Sequence, residues 1–167
     1  MLLDFELNIL KKLEQHFYNV VPLDLATYCV LNSRIACEVL NHFHMEAILR
    51  TCQVRHYSTK GVYAIGFVKN ELAADKWNGH AICKTKNWFV DASLFTFNKI
   101  FKLKTPLIVG ATQGDFSEGQ FSQYELNDGS VLKWFEIPEK IDEKIPEEPL
   151  EIIQKYAEKI IEIIEIN

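Results

Sequence analysis

His80-Ala81-Ile82-Cys83-Lys84-Thr85-Lys86-Asn87-Trp88-Phe89-Val90-Asp91 is the stretch on which the fold reading turns. Two short apolar runs, 80–83 and 88–91, flank the polar tetrapeptide Lys84-Thr85-Lys86-Asn87, which is the pattern of an antiparallel hairpin. A turn symmetric about residues 85 and 86 sets His80 directly opposite Asp91. Directly opposed residues share a face of the sheet, with Cβ atoms about 4.5–5.5 Å apart. The imidazole and the carboxylate can then share a hydrogen bond, which fixes the ring tautomer and favours the imidazolium. A register slip of one residue would send the two to opposite faces.

Working outward, Ala47 to Val54 and Val62 to Val68 read as strands, the second apolar on both faces. Lys69 to Gly79 reads as a loop. Cys29 to Phe43 reads as a helix whose apolar residues, among them Val30, Leu31, Ile35 and Val39, cover more than one face, which predicts central burial. Asp24 or Thr27 can cap its start. Leu3, Leu7, Leu10 and Leu13 make Leu3 to His16 an amphipathic helix that Pro22 ends. Downstream, 107–109 and 131–135 read as strands, and Gly110 to Gln123, rich in Gly, Ser and Gln, as a long loop. Pro138 to Pro149 is a charged, proline-punctuated linker, and Leu150 to Ile166 an amphipathic helix. The expectation is an α+β domain over 1–137 with its core at about 25–100, a linker over 138–149 and a C-terminal helix over 150–167. Its centre is a helix packed on an antiparallel β-sheet, with flanking terminal helices.

Cys29 opens the central helix, and this gives His80 and Asp91 a third partner. The partial positive charge at a helix start favours a thiolate, and an adjacent imidazolium favours it further. The first N–H groups of the helix can receive an oxyanion. A cysteine so placed, with histidine and carboxylate on neighbouring strands, suits nucleophilic acyl chemistry.

Tyr28-Cys29-Val30-Leu31-Asn32-Ser33-Arg34, then Trp77-Asn78-Gly79-His80-Ala81-Ile82, then Trp88-Phe89-Val90-Asp91-Ala92-Ser93 together resemble the transglutaminase-like superfamily. The tract 91–98 is similar to one in small bacterial members of that group. The resemblance implies a transglutaminase-like, papain-like core in which a helix opening with the nucleophile packs on strands bearing the other two residues. It implies Cys29 as nucleophile, His80 as general base and acid, and Asp91 as the orienting carboxylate. It also implies a peptide or amide-containing substrate, with hydrolysis, deamidation and amide cross-linking all open. The flank of Cys29 has no Gly-x-Cys-Trp pattern. The rival expectation is a catalytically inactive module that binds a partner, with the C-terminal helix as a possible docking element.

Beside the trio, Trp77, Asn78 and Trp88 are candidates for substrate binding, as walls that exclude water. Asn32, about one turn beyond Cys29, is a candidate oxyanion donor. His42, His44, Cys52 and His56 are ligand types that zinc accepts, but their spacing matches no zinc signature, and no metal or cofactor is expected. Cys29 to Arg34 is one residue short of a Cys-x5-Arg phosphatase loop and lacks its glycines.

The chain has 167 residues, 48% hydrophobic and 25% charged, with a net charge of −5. That length can bury one sizeable core without disulfides. The negative balance argues against a nucleic-acid partner, and Lys99, Lys102 and Lys104 form only a small basic patch. No apolar run reaches the ~18–20 residues needed to span a membrane, so no membrane partner is expected. The first residues lack a signal-peptide pattern. A cytoplasmic location with reduced cysteines is therefore the expectation.

Overall fold

A computed structural model of the chain describes residues 2–67, 77–97, 103, 106–137 and 145–166. Helices α1 (Leu2–Val20) and α2 (Cys29–His42) precede seven strands. These are β1 (Ile48–Ser58), β2 (Gly61–Ile65), β3 (His80–Lys84), β4 (Trp88–Asp91), β5 (Ile108–Ala111), β6 (Gln120–Glu125) and β7 (Val131–Glu136). Helix α3 (Leu150–Ile166) follows.

The strands form one antiparallel sheet in the order β5-β4-β3-β1-β7-β6. β1 is long enough to organise it. One edge of β1 pairs with β7, while the other is shared by β3, along 48–52, and β2, along 54–58. At the far ends Ser122 Oγ of β6 donates to the Ala111 carbonyl of β5 at 2.6 Å. The sheet thus curls into a nearly closed, barrel-like form, and closure shields edges that would otherwise invite pairing.

Alternation along the strands gives the sheet two apolar faces. The inner face carries Cys52, Val54, Ile82, Phe89, Leu132 and Trp134, all fully buried. Phe89 and Trp134 meet there with ring centroids 4.7 Å apart. Each side chain of this size contributes roughly 1.5–3 kcal/mol by burial. The outer face, through Cys83 and Val90, packs against a helical layer. Ile9, Leu10, Leu13 and Phe17 of α1, Ile35 and Val39 of α2, and Ile153, Ala157, Ile160 and Ile164 of α3 fill that layer. The apolar stripe of α3 is spent inside the chain.

This arrangement corrects the expected fold class. The centre of the molecule is the curled sheet with its own interior core; a central helix packed on a sheet, as in a papain-like core, is not what the chain builds. α2 is one of three described α-helices, contributed by the two ends of the chain, that lie outside the sheet. The physical reason lies partly in 110–123. Its Gly, Ser and Gln content reads as loop, yet Gln120–Glu125 forms β6, whose Ser122 reaches back to β5 and nearly closes the sheet. Of the expected linker, residues 138–144 lie outside the described residues, as do Lys99, Lys102 and Lys104 and most of the loop over 69–79.

Candidate active site

The hairpin forms, but in a different register from the one expected. Cys83 pairs with Val90 and Lys84 with Phe89, and the Thr85 N–H donates to the Trp88 carbonyl at 2.8 Å. The turn is therefore centred on Lys86 and Asn87, and the pairing is displaced by two residues. Extending it, Asp91 faces Ile82, and His80 is its diagonal neighbour rather than its direct partner. Diagonal neighbours lie about 7–8 Å apart, within reach of long side chains. A slip of two keeps both side chains on the same face. His80 Nε2 donates to Asp91 Oδ2 at 2.7 Å on the inner face of the sheet.

Asp91 is fully buried and accepts three N–H donors. Besides His80, Trp134 Nε1 donates to Oδ2 at 2.9 Å, and the Ser93 N–H donates to Oδ1 at 3.2 Å. A carboxylate removed from water needs such satisfaction to stay charged. The next residue, Ala92, receives the Tyr18 hydroxyl of α1 on its carbonyl, which ties the end of β4 to the helical layer.

His80 also interacts with Cys29, whose side chain and charge add to the upward pull of Asp91 on the ring. Burial works to depress the imidazole. The charge and hydrogen bond of Asp91, joined by the Cys29 contact, outweigh it and raise His80 from 6.5 to about 10. His80 is therefore an imidazolium at neutral pH, between a carboxylate and a sulfur.

Cys29 is the first residue of α2, and Asn32 N–H donates to the Tyr28 carbonyl as the first turn closes. Ser33 Oγ donates to the Ala81 carbonyl of β3 at 2.9 Å, which fixes the helix that carries Cys29 to the strand that carries His80. Of the four cysteines, Cys29 alone is not buried. Cys52 stands directly opposite His80 across the β1–β3 pair, fully buried. Burial, then the nearby Asp91 and Cys29, push its thiol well up, so it stays a neutral packing group. Gly66, at φ +81°, brings the chain past His80 so closely that an added Cβ would sit 2.7 Å from His80 Cβ.

Cys29 opens on a cleft of ≈ 440 Å³ lined by Thr27, Tyr28, Val30, Trp77, Gly79, Pro146 and Glu148. Trp77, one of the expected substrate contacts, lines this cleft. Its ring meets Phe67 edge-on, 6.0 Å between centroids, and its Nε1 is buried with no hydrogen-bond partner among the described residues. Asn78 accepts the Phe67 N–H on its carbonyl at 2.6 Å, anchoring the segment that enters β3. Trp88 must be corrected. It lies on the outer face, in the helical layer, and its Nε1 donates to Glu6 Oε2 of α1 at 2.8 Å. The two-face alternation that brings His80 and Asp91 together points Trp88 away from them. Asn32 is fully buried, and its Nδ2 donates to the Leu25 carbonyl at 2.9 Å, so that amide N–H supports the loop before α2.

Trp134 is the site residue that sequence reasoning missed. A buried tryptophan needs a partner for its N–H, and that is the only local signal; the partner comes from a strand 43 residues away in sequence. The dispersed zinc-type residues have other roles. His42 pairs with Glu165 at 2.8 Å, and His56 with Ser130 Oγ at 2.8 Å. Among the described residues no group of three or more His, Cys, Asp and Glu is placed to hold a metal ion. No described helix is long and apolar enough to cross a membrane.

No family model matches the sequence, and comparison with curated proteins and with solved structures finds no match.

Proposed function

We propose that the chain is a cysteine-dependent acyl-transfer enzyme acting on a peptide or another amide. One observation carries the reading: His80 bridges the half-exposed Cys29 thiol at a helix start and the buried Asp91 carboxylate, beside an open cleft. That is the division of labour that nucleophilic acyl transfer needs.

In the proposed cycle the Cys29 thiolate attacks the carbonyl carbon. The oxyanion meets first-turn N–H groups of α2 other than those of Cys29 and Asn32, which donate to the Thr27 and Tyr28 carbonyls. His80 gives its proton to the leaving amine as the C–N bond breaks, leaving a thioester on Cys29. Water, or an acceptor amine, then loses a proton to His80 and attacks the thioester, and the thiolate leaves. Asp91 keeps Nε2 protonated throughout, so the other ring nitrogen does the proton transfer. The resemblance to transglutaminase-like proteins rests on the same three residues in the same order and supports the same reaction class. A reducing, cytoplasmic setting, in which Cys29 stays a thiol, suits this chemistry.

The test is alkylation by iodoacetamide, mapped by peptide mass, in wild type and His80→Ala between about pH 5 and 9. His80→Ala is expected to slow Cys29 labelling about tenfold, since the sulfur loses the neighbouring imidazolium. Slow labelling that ignores His80 would mark Cys29 as an ordinary thiol and the chain as an inert binding scaffold.

A further inference from the structure

Resting on the reading of Cys29 as nucleophile, we propose that the cleft selects acyl substrates bearing a basic side chain, an ammonium or guanidinium held by Glu148 against the Trp77 ring. The cleft is assembled from three separate stretches: the start of α2, the entry to β3 and the segment leading into α3. Among its described lining residues Glu148 is the one carboxylate; apart from Cys29 the rest are aromatic, apolar or small. Glu148 makes no ion pair with a described residue. Burial raises its carboxyl, and Arg34, which lies outside the lining, works in the opposite direction. A carboxylate partly withdrawn from water in a cleft that an indole also lines is an arrangement that favours an organic cation, through charge and through cation–π attraction.

A second polar group, on a residue that lines the cleft, has the complementary chemistry. Trp77 Nε1 is a buried donor with no partner among the described residues, and a buried N–H without an acceptor is costly. A peptide carbonyl supplies that acceptor, so the cleft fits a molecule carrying both a cation and carbonyls. The cation is a recognition group and not the attacking amine: an amine must lose its proton to attack a thioester, whereas a carboxylate favours the protonated form.

Charged thiol probes test this on the full chain. Cationic trimethylammonium-ethyl, anionic sulfonatoethyl and neutral methyl methanethiosulfonate all convert an accessible thiol to a mixed disulfide. The readout is the cationic-to-anionic rate ratio at Cys29, divided by the same ratio for a small free thiol. Glu148→Gln is expected to lower it about three- to tenfold and Glu148→Lys to lower it further, both effects shrinking at high salt. Equal ratios in wild type and Glu148→Gln would overturn the proposal. The ratio stays readable whether or not Cys29 is catalytic, because these reagents label any accessible thiol. Failure of the catalytic reading shows separately, as a neutral-probe rate that does not respond to His80→Ala.

Discussion

Asp91→Asn isolates the charge at the centre of the site. The carboxylate accepts two N–H groups on Oδ2 and one on Oδ1. An amide offers one oxygen and one NH₂. With its oxygen toward His80 and Trp134, the NH₂ confronts the Ser93 N–H; reversed, it confronts two donors. Either way a buried donor goes unmet, at about 1–3 kcal/mol. The charge that holds His80 protonated is lost as well, and breaking a buried pair costs about 3–5 kcal/mol. A destabilisation of about 3 kcal/mol near neutral pH is the expected result. Its pH dependence is more diagnostic. In wild type His80 titrates at about 10, against 6.5 for an ordinary histidine. Between those values the folded chain holds a proton that the unfolded chain has released, so stability falls as pH rises, by up to about 1.4 kcal/mol per pH unit. The contribution is fully present below about pH 6.5 and is lost as pH rises through about 10. In Asp91→Asn burial, the largest influence on His80, pulls it down, opposed by the smaller contact with Cys29. The slope then vanishes in that window, and stability falls on acidification instead. Urea unfolding of both proteins at about pH 6.5, 8 and 9.5 measures this, with the His80 ring followed by NMR. The gap between the proteins should be widest at the lowest pH and shrink toward the highest. Parallel stability profiles would refute the ion pair.

Two other substitutions probe the placement of the site. Trp88→Phe removes the hydrogen bond to Glu6 and should cost about 1–2 kcal/mol while leaving Cys29 alkylation at the wild-type rate; a loss like that of His80→Ala would put Trp88 back at the site. Gly66→Ala forces a Cβ to within 2.7 Å of His80 Cβ at φ +81°, whereas Gly61, at φ +122°, has nothing within 4 Å of an added Cβ. Gly66→Ala should therefore destabilise by about 1–3 kcal/mol and slow Cys29 alkylation, and Gly61→Ala should leave alkylation unchanged; equal effects on alkylation would show that Gly66 does not set the position of His80.

Local pattern carried the elements further than it carried their assembly. The leucine spacing over 3–13 and the isoleucine stripe over 152–164 mark α1 and α3 because helical amphipathicity is a property of neighbouring residues. Barrel closure is not. It depends on β6, whose sequence Gln120-Phe121-Ser122-Gln123-Tyr124-Glu125 alternates but follows a Gly- and Ser-rich run that reads as loop. It depends also on β1 serving β3, β2 and β7 at once, a matter of length and partners that no window of sequence contains. A helix apolar on more than one face, as α2 is, reads as central. Here it is covered by β3 on one side and by α3 on another, so the same pattern serves an outer layer.

The site was legible to the extent that parity decides it. Which face of a sheet a side chain occupies depends only on whether the register is shifted by an odd or an even number of residues. The turn centred on 86 and 87 in place of 85 and 86 moves every pair by two, which exchanges direct partners for diagonal ones and leaves faces intact. His80 and Asp91 therefore still meet, and Trp88, three residues before Asp91, falls on the opposite face. The same parity places Cys52 and Trp134 on the inner face: Cys52 pairs with His80, and Trp134 pairs with Val54, two residues further along β1. Parity puts Trp134 on the face of Asp91, and the curl of the sheet brings its N–H across to the carboxylate, since β3 and β1 lie between β4 and β7. What sequence alone lacked was the order of strands, and with it the third donor that completes the carboxylate.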